Sequence, residues 1–198
     1  MRIALAALAI LFSVSSTFGS EIREFDLKKI ERLGNELTRV SQTRDKGATD
    51  PVRKRAKETA IAALQGKLFD IHYDYVVLND PDGSGFLVYA LGKGSKPGDT
   101  VVHGHFRVSV SADGQKAERT DALSRGVTID NKNVDPSPKG YHKVAFVTAT
   151  VVGSKPVETL IYASNSMKMP ITVATPNGRI WEIENGKIKD TGKSAGKK

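Results

Sequence analysis

The chain has 198 residues, 39% hydrophobic and 26% charged, a composition that suits one soluble domain with a real core. It contains no cysteine, which excludes disulfides, a lipid-modified amino-terminal cysteine, thiolate metal sites and thiol catalysis. The formal net charge of +8 suits an acidic partner or surface, but nucleic acid is not expected, because no basic strand interleaved with aromatics is present.

Arg2 heads an apolar run over residues 3–14, and Thr17-Phe18-Gly19 offers small residues to a signal peptidase. Residues 1–19 therefore read as a cleaved secretory signal, too short and wrongly flanked for a membrane helix. No second long apolar segment follows. The expected location is the periplasm, or outside the cell, without a membrane anchor.

Two helices are expected within residues 20–66. Over 26–40, Leu27, Ile30, Leu33, Leu37 and Val40 recur on one stripe, with Asp26 as N-cap. Asp50-Pro51 opens a second helix, which runs to Gln65 and stops at Gly66. A polar loop over 41–49 joins them, so the pair reads as an antiparallel hairpin.

From Lys67 the period changes to two, and residues 67–189 read as a β domain. Phe69, Ile71, Tyr73, Tyr75 and Val77 alternate with Asp70, His72 and Asp74. A turn at 79–83, a strand over 86–91 and a Gly/Ser/Pro-rich loop over 92–99 follow. Val102, Gly104, Phe106, Val108 and Val110 then share one face of a strand, and His103, His105, Arg107 and Ser109 the other. After a hairpin turn at 112–114, a strand covers 116–121. A polar connection over 131–140 leads to 143–152, apolar on both faces and the candidate central strand. Residues 158–164, 171–175 and 179–183 read as further strands. Residues 190–198 carry no large apolar side chain and read as a disordered basic tail. The expected fold class is α+β: an N-terminal helical hairpin packed on an antiparallel β-meander of seven or eight strands.

Several constellations carry possible chemistry, each beside a plainer explanation. His103-Gly104-His105 has the two-residue spacing of sheet zinc sites, but a third ligand is missing and Arg107 follows on the same face. An exposed polar strand face is the plainer reading. Asp70, His72 and Asp74 offer carboxylates around an imidazole, or simply the wet side of a half-buried strand. The segment from Asp80 to Gly85 starts like a calcium loop, but Leu91 stands where the bidentate glutamate belongs, so a β-turn is expected. Gly192-Lys193-Ser194 matches the end of a phosphate loop without the preceding glycine at the right distance. Tyr73, Tyr75, Tyr89, Phe106, Phe146, Tyr162 and Trp181 line either a pocket or the core.

The segment from Gly104 to Gly114, with the closing Thr175-Pro176-Asn177-Gly178-Arg179-Ile180-Trp181-Glu182-Ile183, resembles small uncharacterised secreted proteins of Proteobacteria. Proteins of this kind include immunity proteins that neutralise secreted antibacterial toxins. Export, a sheet scaffold, scattered basic charge, polar loops and the lack of a catalytic set lead to the expectation of a non-enzymatic periplasmic binding protein without cofactor, and the resemblance makes its most concrete form an inhibitor acting by direct contact on a secreted toxin. His103, His105, Arg107, Lys139 and Tyr141 are the expected contact residues. The alternatives are a periplasmic small-ligand or metal carrier, with His103 and His105 as ligands, and a cell-wall hydrolase.

Overall fold

The computed structural model of the chain describes residues 22–131, 133 and 143–195. Residues 1–19, expected to be a secretory signal, and the expected contact residues Lys139 and Tyr141 lie outside the described residues. Within them are three helices and ten strands, an α+β arrangement.

Helix α1 (Leu27–Ser41) starts where Asp26 accepts a hydrogen bond from the Lys29 amide at 2.9 Å, and it buries Ile30, Leu33, Gly34, Leu37 and Val40. Helix α2 (Pro51–Ala63) starts the same way, with Asp50 accepting from the Arg53 amide at 2.9 Å and Pro51 in the first turn. Strands β1 (His72–Asn79), β2 (Phe86–Lys93), β4 (Phe106–Val110) and β5 (Ala117–Ala122) form an antiparallel sheet in the order β1-β2-β4-β5. Strands β3 (Asp99–His103) and β6 (Thr128–Asn131) pair as a separate antiparallel ribbon. The third sheet has the order β10-β9-β8-β7, built from β7 (Phe146–Ala149), β8 (Ile171–Ala174), β9 (Arg179–Glu184) and β10 (Lys187–Ser194).

The two N-terminal helices do not share a seam. Strand side chains alternate between faces, and the first sheet is buried on both. Val76, Leu78, Leu87, Tyr89 and Leu91 join a core with α1, helix α3 (Glu158–Met167) and the third sheet. Val77, Phe86, Val88, Ala90, Phe106, Val108 and Val110 join a second core with Ala56 and Ala60 of α2 and with Leu64, its C-cap. The expected hairpin is thus opened around the sheet, one helix on each face. Helix α1 packs chiefly on α3, whereas α2, whose buried residues are Ala56 and Ala60, packs on the opposite face of the sheet.

Four further expectations are corrected. The single strand expected over 102–110 breaks at Gly104, whose φ of +116° is a conformation glycine tolerates, so β3 and β4 belong to different sheets. Residues 158–164 are helical rather than extended. Strands β7 and β8 are parallel, and parallel neighbours need a crossover, which α3 supplies. Its apolar run is short and buried on several sides, so periodicity alone does not separate helix from strand. The expected central strand at 143–152 contributes β7 to the sheet, at its edge. Finally, the expected tail is ordered as far as Ser194. Strand β10 pairs with β9, Arg179 lies 2.9 Å from Asp190, and a register shift falls between Asp190 and Ser194, a stretch that includes Gly192. A polar edge strand is held by backbone pairing and needs no large apolar side chain.

Candidate functional site

The densest polar cluster lies beneath the first sheet. Arg107 faces away from its apolar neighbours Phe106 and Val108 and is only 1% exposed. Its guanidinium donates to Glu158 at 2.6 Å and to Asp121 at 2.7 and 3.3 Å, and it also donates to the carbonyl of Arg23. The Tyr89 hydroxyl donates to the same Glu158 oxygen at 2.8 Å. The Phe25 ring carries the Arg107 guanidinium 4.7 Å from its centroid and that of Arg23 at 4.9 Å. Arg23 in turn reaches Asp80 at 2.6 Å and Asp82 at 3.2 Å.

This cluster is closed. Burial opposes the charge on Arg107, but Glu158, Tyr89 and Asp121 outweigh it and raise its pKa, so it stays a cation. Burial, with Glu158 adding to it, raises the Tyr89 phenol well above its ordinary range. The Arg107 guanidinium and the Tyr89 phenol both keep their protons near neutral pH. Every buried side-chain nitrogen and oxygen among the described residues has a partner. The cluster pins residues 22–26, and with them the start of α1, to the sheet and to α3.

The histidines also point inward. His105 is 1% exposed; its Nδ1 accepts from the Gly92 amide at 3.0 Å and its Nε2 contacts the Val101 carbonyl at 3.1 Å. Tyr162 stands edge-on to the ring, with centroids 6.1 Å apart. Desolvation lowers the His105 pKa to about 4, so the ring is neutral, with both nitrogens occupied. His103 is buried, and its Nε2 pairs with the Thr148 hydroxyl at 2.8 Å. The break at Gly104 removes the strand geometry that the zinc spacing requires. No group of three or more His, Asp or Glu side chains among the described residues is placed to hold a metal ion. His103, His105 and Arg107, expected as exposed contacts, are therefore corrected to interior residues. The polar face was real, but a second layer covers it.

The remaining constellations resolve locally. Asp74 lies between Lys93 at 3.1 Å and Lys46 at 3.6 Å, while Asp70 and His72 are exposed. Asp80 and Asp82 already hold Arg23, and Lys29 bonds Asp82, so the calcium-like loop is charge-neutralised by the chain itself. The aromatics do not line one pocket. Tyr89, Phe146, Tyr162 and Trp181 belong to one core; Tyr73, Tyr75 and Phe106 belong to the other.

A different region is open. A cleft of about 180 Å³ lies between 124–128 and 149–151, with His103 in its lining. It is smaller than the roughly 300–1,000 Å³ of most small-molecule pockets. The exposed large apolar side chains among the described residues are Val127, Ile129, Val144, Val147 and Val151; Val127 and Val151 line the cleft, and the other three lie on the segments that lead into its walls. Val144 is 81% exposed and Val147 74%. Arg125, also in the lining, has no ion-pair partner among the described residues. None of these was singled out in the sequence. The available signal was the β-branched run at 147–152, which fits a buried strand as well as an exposed one. No family model, no curated protein and no solved structure matches this chain.

Proposed function

We propose that this protein works by direct contact with another protein, as a periplasmic inhibitor of a secreted antibacterial toxin, and not as an enzyme. One observation carries the contact reading: Val127 and Val151, two of the exposed large apolar side chains among the described residues, line one cleft, and Ile129, Val144 and Val147 lie on the segments that run into its two walls. Contiguous apolar surface rimmed by polar groups marks interaction sites. The residues with the most chemical potential, Arg107 and His105, are engaged in holding sheets together. The toxin as target, and the periplasm as its location, rest on the resemblance and on the signal-like residues 1–19.

Co-expression with a secreted toxin encoded beside it tests the proposal. A stable complex and restored growth are the expected results. A toxin that stays active and fails to co-purify counts against it.

A further inference from the structure

Strand β7 ends the third sheet on a parallel pairing with β8. In such a ladder alternate residues turn both backbone groups toward the partner. The Phe146 amide donates to the Pro170 carbonyl at 2.8 Å and the Thr150 amide to the Ala174 carbonyl at 2.9 Å. Val147 and Ala149 therefore turn their N–H and C=O groups away from β8, and no hydrogen bond of either backbone occurs among the described residues. An unpaired edge beside exposed apolar side chains is a template for a further strand. Natural edges are blunted by charge, proline or a covering element; between Phe146 and Ala149 there is neither charge nor proline.

We infer that β7 accepts an extended segment of the partner as a fifth strand of the third sheet, and that this segment alternates apolar residues with an acidic one. The inference rests on the contact reading above and names its occupant. Backbone pairing at Val147 and Ala149 supplies the register. The apolar side chains of the added strand cover Val147 and Val151, on the face they share by the two-residue period. The acidic preference comes from Arg125, an exposed guanidinium without an ion-pair partner among the described residues, lining the cleft where β7 ends, in a chain of net charge +8. Lys143 does not compete for that role, because Asp130 holds it at 2.6 Å.

The test uses the whole chain and a displayed library of random nine-residue peptides. Enriched peptides are expected to alternate β-branched residues with an aspartate or glutamate. Three variants separate the contributions. Ala149→Pro removes only an outward N–H, a change that edge strands tolerate; it should weaken selected peptides at least tenfold with melting unchanged. Val147→Lys should do the same through the side chain, and it stands in if the proline variant unfolds. Arg125→Gln should abolish the preference for acidic over neutral peptides. Lack of enrichment, enrichment of basic or non-alternating peptides, or binding indifferent to Ala149→Pro and Val147→Lys would overturn the inference. So would a dimer in free solution that Val147→Lys dissociates, since a second copy would then be the occupant. A toxin complex that forms normally with Val147→Lys would leave the contact reading standing and remove this one alone.

Discussion

The Arg107 cluster and the β7 edge are opposites. The first collects charge and buries it: two carboxylates, a phenol and a backbone carbonyl surround one guanidinium that is 1% exposed. The second collects plain valines and leaves them in water beside a strand with unpaired backbone groups. The difference teaches that residue type is a poor guide to role when the second layer of a fold is unknown. Arginine and histidine carry the interior here, and the least reactive side chains carry the exposed surface.

The contrast breaks first at Arg107. Arg107→Met leaves Glu158 buried without its cation and Asp121 with Arg119 alone, at 2.6 Å, and should cost roughly 3–5 kcal/mol in urea unfolding. Adding Glu158→Gln and Asp121→Asn to the same chain should recover part of that loss. Unchanged stability with lost partner binding would instead place Arg107 in the functional surface. Next comes acidity. His105 takes a proton near pH 4 in the folded chain and near its ordinary 6.5 when unfolded, so between those values the unfolded chain binds more protons. Stability from this group is present above pH 6.5 and falls by roughly 3 kcal/mol as pH drops to 4. His105→Asn, which keeps an acceptor for the Gly92 amide, should flatten the difference between urea melts at pH 7.5 and pH 4.5. A slope equal to that of the parent chain would show that His105 is not the buried neutral group described.

Smaller effects sharpen the picture. A Cβ at Gly34 would sit 2.5 Å from the Ile161 Cβ and 2.7 Å from the Glu158 carbonyl oxygen, where α1 crosses α3. Gly34→Ala should therefore cost about 1–3 kcal/mol despite its gain in helix propensity. A stabilised variant would mean the two helices separate easily. At the far end, Val147→Lys should shift stability by less than about 0.5 kcal/mol, as expected for a surface position, while weakening the partner complex.

Much of the fold was legible where a local rule decided it. Asp26 and Asp50 cap helices, Gly66 lies just past the second, and the turns at Ala112-Asp113-Gly114 and Pro176-Asn177-Gly178 join adjacent strands. What was not legible depends on layers. The alternation of His103, His105 and Arg107 with apolar neighbours predicts two faces; which face meets water is decided by α3 and by residues 22–26, both distant in sequence. The reverse error occurred at 147–152, where a valine-rich run reads as interior and β7 turns out to be an edge. Strand β10 escaped because backbone pairing leaves no mark on hydropathy.

Amide exchange at Val147 and Ala149, in the free chain and in complex with its partner, tests the central claim most directly. The account predicts fast exchange at both in the free chain, against slow exchange at Phe146 and Thr150, and at least tenfold slowing when the partner binds. Protection already present in the free chain, or exchange unchanged in the complex, would contradict it.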